Sequence, residues 1–185
     1  MGGHALLVAG LALWSAPHLL KRVAPAWRAR QGEWVKGVVA LLLILAIVAM
    51  SRGYRAADPV ILWPRVEWLV HVNNLLNLVA LWLFAASAAG GWIAARMRHP
   101  QLTAVKIWAV AHLLVNGSLA AILLFGGLLL WAVAEVVLIN RQTAWAPREP
   151  GPVWRDGLAF AAAVLLYVAA AYVHVWLGAW PFGGA

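Results

Sequence analysis

Long apolar stretches separated by short basic ones set the pattern of this chain. Gly3 to Leu20 is apolar and is followed by Lys21-Arg22, and no basic residue precedes it, so it reads as a first span and not as a signal peptide. Trp34 to Met50 is the second stretch and about Val66 to Ala89 the third. The fourth and fifth are Gln101 to Val115 and Ser118 to Ile139, and the last is Gly157 to Leu177. A helix needs roughly 20 apolar residues to cross a bilayer. The pattern therefore predicts an all-α polytopic membrane bundle of about six transmembrane helices, forming a single transmembrane domain over residues 1–185. Asn116-Gly117-Ser118 reads as a tight turn in which Gly117 supplies a left-handed position and Ser118 caps the next helix. Pro147 to Pro152 is the one linker-like run, and no internal repeat is apparent.

Polar groups inside such stretches are costly and usually face the bundle interior. In the third stretch His71, Asn73, Asn74 and Asn77 fall within one half of the helical wheel, opposite Val72, Leu75, Leu76, Val79 and Leu83. In the fourth, His112 and Asn116 are neighbours one turn apart, with Trp108 one turn before. His4 and His18 share a stripe in the first, and Tyr167 and His174 share one in the last. A single such histidine is most simply a structural one, bonded to a neighbouring helix. Imidazoles offered by several helices are also what axial ligation of haem iron requires. Glu135 is the one carboxylate within a span, roughly 7 Å from its end by helix rise. It is expected to pair with Arg98, Lys106 or Arg141, or to be protonated. Arg98-His99-Pro100 reads either as a basic anchor opening a helix or as a corner that contacts an anion.

Composition closes off other classes. With 65% hydrophobic and 11% charged residues and a mean hydropathy of +0.84, the chain leaves no room for a soluble domain. The net charge of +8 reflects basic loops rather than a nucleic-acid surface, since no basic stripe interleaves with aromatics. Eleven of the 14 Lys and Arg residues lie in the 1–2, 3–4 and 5–6 connections, which with six spans puts both termini outside, in the periplasm. Trp27, Trp34, Trp145 and Trp154 then mark the inner interface, and Trp63, Trp68, Trp176 and Trp180 the outer one. The absence of cysteine excludes disulfides, thiolate metal sites and iron–sulfur clusters.

The run RMRHPQLTAVKIWAVAHLLVNGSLAAILLFGGLLLWAVAEVVLINR, together with GYRAADPVILW and WLVHVNNLL, resembles the NnrU family of bacterial membrane proteins over nearly all of the chain. The resemblance implies an inner-membrane protein linked to denitrification, that is, to expression of nitrite and nitric oxide reduction. The family is related to 15-cis-zeta-carotene isomerase, an integral membrane enzyme that uses haem b on histidine ligands. Carried onto this sequence, it implies haem b ligated by His112, with His18 as second ligand, and His99 as the RHP histidine; by depth in the membrane, His71 is the alternative second ligand. Arg98, Asn116 and Glu135 complete the expected cofactor region, and the expected partners are the lipid bilayer and an apolar small-molecule substrate. A fainter similarity is to S-adenosylmethionine-dependent membrane methyltransferases such as isoprenylcysteine carboxyl methyltransferase. It rests on RHP, a helix, a turn at Asn and a helix with Glu, and implies a cytoplasmic cofactor pocket at Arg98, His99 and Glu135. A third expectation is a non-catalytic membrane assembly factor whose polar residues only join helices.

Overall fold

The computed structural model describes residues 2–183. The described chain is all-α, a polytopic bundle of eight helices: α1 (Gly3–Val23), α2 (Pro25–Ala29), α3 (Trp34–Arg55), α4 (Glu67–Ala89), α5 (Trp92–Arg96), α6 (Pro100–Val115), α7 (Leu119–Gln142) and α8 (Trp154–Trp176). Five of them (α1, α3, α4, α7 and α8) are 21 to 24 residues long and apolar enough to cross a membrane. The apolar α6 has only 16 residues, about 24 Å of helix against a hydrocarbon core of roughly 30 Å. All six expected segments are thus helices, one of them short.

The chain divides into two compact units. The first comprises the chain up to Trp63 together with Gly117–Gln142, and the second Pro64–Asn116 together with the chain from Thr143 on. In the first unit α1 packs along both α3 and α7. Gly3, Leu7 and Gly10 of α1 are buried, as are Ala46, Met50 and Gly53 of α3. A Cβ on Gly10 would come within 2.8 Å of the Met50 nitrogen, and one on Gly53 within 2.8 Å of the Leu7 Cα. Small residues allow that approach where no hydrophobic force drives apolar helices together in lipid. The contact also explains why α3 runs on to Arg55, beyond the Met50 expected from hydropathy. Ser51 to Arg55 is polar in composition, yet Gly53 is buried against α1.

The start of α7 corrects one expectation and bears out another. Ser118 does cap the helix, its Oγ accepting from the Ala121 nitrogen at 3.1 Å. Gly117 is not left-handed; among the described residues the positive φ values belong to Gly90 and Gly178. Glycine is needed there because a Cβ would collide with the Trp63 carbonyl. Residues 60–63 lie beside 117–119 like a short strand pair. The Gly117 carbonyl accepts from the Leu62 nitrogen at 2.7 Å, and the Leu119 nitrogen donates to the Val60 carbonyl at 2.8 Å. A π-helical turn, Ile122–Gly126, interrupts the first turns of α7 and buries Phe125.

In the second unit α4 packs against both α6 and α8. Its polar residues form an amide chain. Asn77 Nδ2 donates to the Asn73 side-chain oxygen at 2.9 Å, Asn73 Nδ2 to Asn74 Oδ1 at 2.9 Å, and Asn74 Nδ2 to the Pro181 carbonyl at 3.1 Å. Asp156 at the start of α8 is buried; its carboxylate accepts from the Trp92 nitrogen at 2.8 Å and so caps α5, while its carbonyl accepts from Trp82 Nε1 at 3.0 Å.

Candidate functional site

Two helices carry a three-rung ladder whose first two rungs are alike. On α1 the rungs are Trp14, His18 and Arg22, and on α6 they are Trp108, His112 and Asn116. Residues four apart stand one above the other on a helix, so each imidazole lies over the tryptophan that precedes it. His18 Nδ1 bonds the Trp14 carbonyl at 2.7 Å, with ring centroids 4.8 Å apart. His112 Nδ1 bonds the Trp108 carbonyl at 2.9 Å, with centroids 5.0 Å apart. A carbonyl oxygen only accepts, so Nδ1 carries the proton in both and Nε2 is the nitrogen with the lone pair. That is the tautomer in which an imidazole ligates a metal, oriented by a bond at its other nitrogen.

The first ladder is backed by α7, whose Trp131 and Glu135 are also four apart. The Trp131 ring meets His18 edge-on at 5.0 Å and Trp14 at 5.5 Å. Arg22 Nε donates to Glu135 Oε2 at 3.1 Å. Glu135, 3% exposed, is therefore paired with Arg22 and not with Arg98, Lys106 or Arg141. The packing of α1 on α7 brings in a cation 113 residues away in sequence. Glu135 Oε1, Trp131 Nε1 and Trp14 Nε1 are buried without a hydrogen-bond partner. Each such atom costs about 1–3 kcal/mol if it stays unsatisfied, so a cluster of three asks for an explanation in function.

The third rung of the second ladder bonds back to its own helix. Asn116 Nδ2 donates to the His112 carbonyl at 2.8 Å, and the Asn116 backbone nitrogen bonds the same oxygen at 3.0 Å. Asn116 has left the helical region (φ −121°, ψ 94°), which ends α6. At the other end His99 precedes Pro100, and its carbonyl accepts from the Thr103 nitrogen at 2.9 Å. Arg98 donates through Nη2 to the Thr143 carbonyl and to Thr143 Oγ1, the latter at 3.1 Å.

The expected site residues thus fall into two groups. His18 and Glu135 belong to the first unit, joined by Trp131 and Arg22. His71, Arg98, His99, His112 and Asn116 belong to the second, where His112 and Asn116 are bonded to each other. His71 is exposed, and so is His174 on α8, which bonds the Ala170 carbonyl at 2.7 Å with no tryptophan beneath it. Among the described residues no three His, Cys, Asp or Glu side chains are grouped to hold a bare metal ion. The reading of the sequence missed Trp14, Arg22, Trp131 and Asp156. The signal for the ladders was present as Trp-x-x-x-His-Leu-Leu at Trp14–Leu20 and again at Trp108–Leu114, a repeat of only seven residues.

Five helices of membrane-crossing length and apolarity define a polytopic membrane protein. The family model described as "NnrU protein" matches residues 6–181, and the chain belongs to the NnrU family. No curated protein and no solved structure matches it.

Proposed function

We propose that this NnrU family protein is a haem b protein of the bacterial inner membrane, with both termini periplasmic, and that His112 and His18 are the imidazoles it offers to iron. The observation that carries the reading is the pair of carbonyl-held imidazoles that also pack against a tryptophan ring, each protonated at Nδ1 and so able to ligate through Nε2. Their half-buried setting against indole rings suits haem, an apolar group with a single metal centre. His71, exposed on α4, ranks behind His18 as the second ligand. Bound haem b would supply a Lewis-acidic or one-electron centre, suited to isomerising an apolar substrate taken from lipid or to a role in nitrite and nitric oxide reduction. The chain's own part is to fix both imidazoles through the Trp14 and Trp108 carbonyls, to exclude water with Trp14 and Trp131, and to offset the Glu135 charge with Arg22.

The test is a visible spectrum of the detergent-purified protein, oxidised and reduced. The reading predicts a Soret band that is lost or shifted in His112→Ala and in His18→Ala. A folded wild-type protein that neither retains nor takes up haem would refute it.

A further inference from the structure

The first unit contains a groove of about 550 Å³ between α1, α2 and α3 that the ladders do not use, although His18 borders it. Its walls are apolar, formed by Leu20, Val35, Val39, Leu42 and Leu43. Three cations line it as well: Lys21 in the last turn of α1, Arg28 on α2 and Lys36 in the first turn of α3. These helix ends are the ones joined through residues 24–33, so the cations gather at one end of the groove. From Lys36 the wall continues to Leu43, about 10 Å further along α3 by helix rise. Trp27 and Trp34 stand at the same basic end, as tryptophans do at a membrane–water boundary.

The charge at that end is unbalanced. Glu33 forms an exposed ion pair with Lys36, while Lys21 and Arg28 have no carboxylate partner among the described residues. Three cations and one carboxylate leave two positive charges beside an apolar slot that reaches into the helix pair. Basic pockets between transmembrane helices hold anionic lipid head groups by this combination. We infer that the groove is a binding site for a two-phosphate phospholipid, diphosphatidylglycerol, with its phosphates on Lys21 and Arg28 and an acyl chain along Val35, Val39 and Leu42.

The experiment uses the full chain in detergent. Native mass spectrometry and thermal unfolding are followed as diphosphatidylglycerol, phosphatidylglycerol or phosphatidylcholine is added. Diphosphatidylglycerol should stay bound and raise the unfolding temperature most. The double variant Lys21→Gln/Arg28→Gln should weaken its retention about thirtyfold, from roughly one screened charge contact per cation. Arg52→Gln/Arg55→Gln removes the same charge at the other end of α3 and should change nothing. Val39→Trp, which fills the slot and leaves the cations, should also abolish retention. Equal stabilisation by phosphatidylcholine would show an unspecific lipid belt, and equal stabilisation by phosphatidylglycerol would remove the two-phosphate assignment; either overturns the inference. Haem content is measured in the same samples. If Lys21→Gln/Arg28→Gln loses haem while His18 is intact, the cations serve the haem and the lipid site is refuted; if haem is absent from every sample, the lipid result still stands or falls alone.

Discussion

The ladders on α1 and α6 share two rungs and differ in the third. Trp14 and Trp108 hold His18 and His112 in the same way, through a carbonyl one turn back and a tilted ring contact. Arg22 then reaches out of its helix to the buried Glu135 of α7, whereas Asn116 turns back to the His112 carbonyl of its own helix. The carbonyl bond is a local property that a helix can confer on a histidine, as His174 on the Ala170 carbonyl also shows; the tryptophan adds the ring contact. What surrounds the imidazole is a tertiary property. The first ladder carries three orphaned polar atoms and an ion pair to a second helix, while the third rung of the second bonds back to its own helix. The first should therefore be the more fragile, and the more responsive to whatever binds there.

Substitution of the third rung should give the largest difference. Arg22→Ala strands a carboxylate that is 3% exposed, and breaking such a pair costs about 3–5 kcal/mol, whereas Asn116→Ala gives up one intrahelical bond worth about 1 kcal/mol. Denaturation of both variants in detergent measures this, and equal losses would erase the distinction between the ladders. Next in size is Gly53→Ala, which forces α1 away from α3 and should cost about 1–3 kcal/mol. Its effect should appear in the environment of Trp14 and Trp131 but not of Trp108, as read by tryptophan fluorescence in single-tryptophan backgrounds. The smallest is Ser118→Ala, which removes the cap of the helix that backs the first ladder, at about 1 kcal/mol. The same fluorescence should register it at Trp131; a change at Trp108 alone would contradict the assignment of α7 to the first ladder.

Much of this fold was legible because lipid requires long apolar helices, and those leave an unmistakable trace in sequence. The end of α6 before Asn116 and the Ser118 cap both followed from the Asn-Gly-Ser run, whereas the fourth span was not singled out as shorter than the rest. What stayed hidden depended on neighbours. Glu135 plainly needed a counter-charge, but nothing in the sequence points from it to Arg22, since only the packing of α1 on α7 brings them together. The helical wheel placed His71 with the asparagines because half a wheel is too coarse a window. The buried face of α4 follows Val70, Asn73 and Ala80, and His71 lies about 160° around the helix from Asn73. The glycine at position 117 was recognised but given the wrong reason, because the approach of Trp63 is a contact between segments distant in sequence. Helices α2 and α5 have five residues each, too few to produce a periodic signal.

The most direct test of the account is the protonation site of the two imidazoles. Solid-state ¹⁵N spectra of the histidine-labelled, haem-free protein in lipid, assigned with His18→Gln and His112→Gln, report which ring nitrogen carries the proton. Both residues should show a protonated Nδ1 and an unprotonated Nε2. A protonated Nε2 at either position would mean that the imidazole is not held by the tryptophan carbonyl beneath it, and would remove the ground on which that residue is assigned to iron.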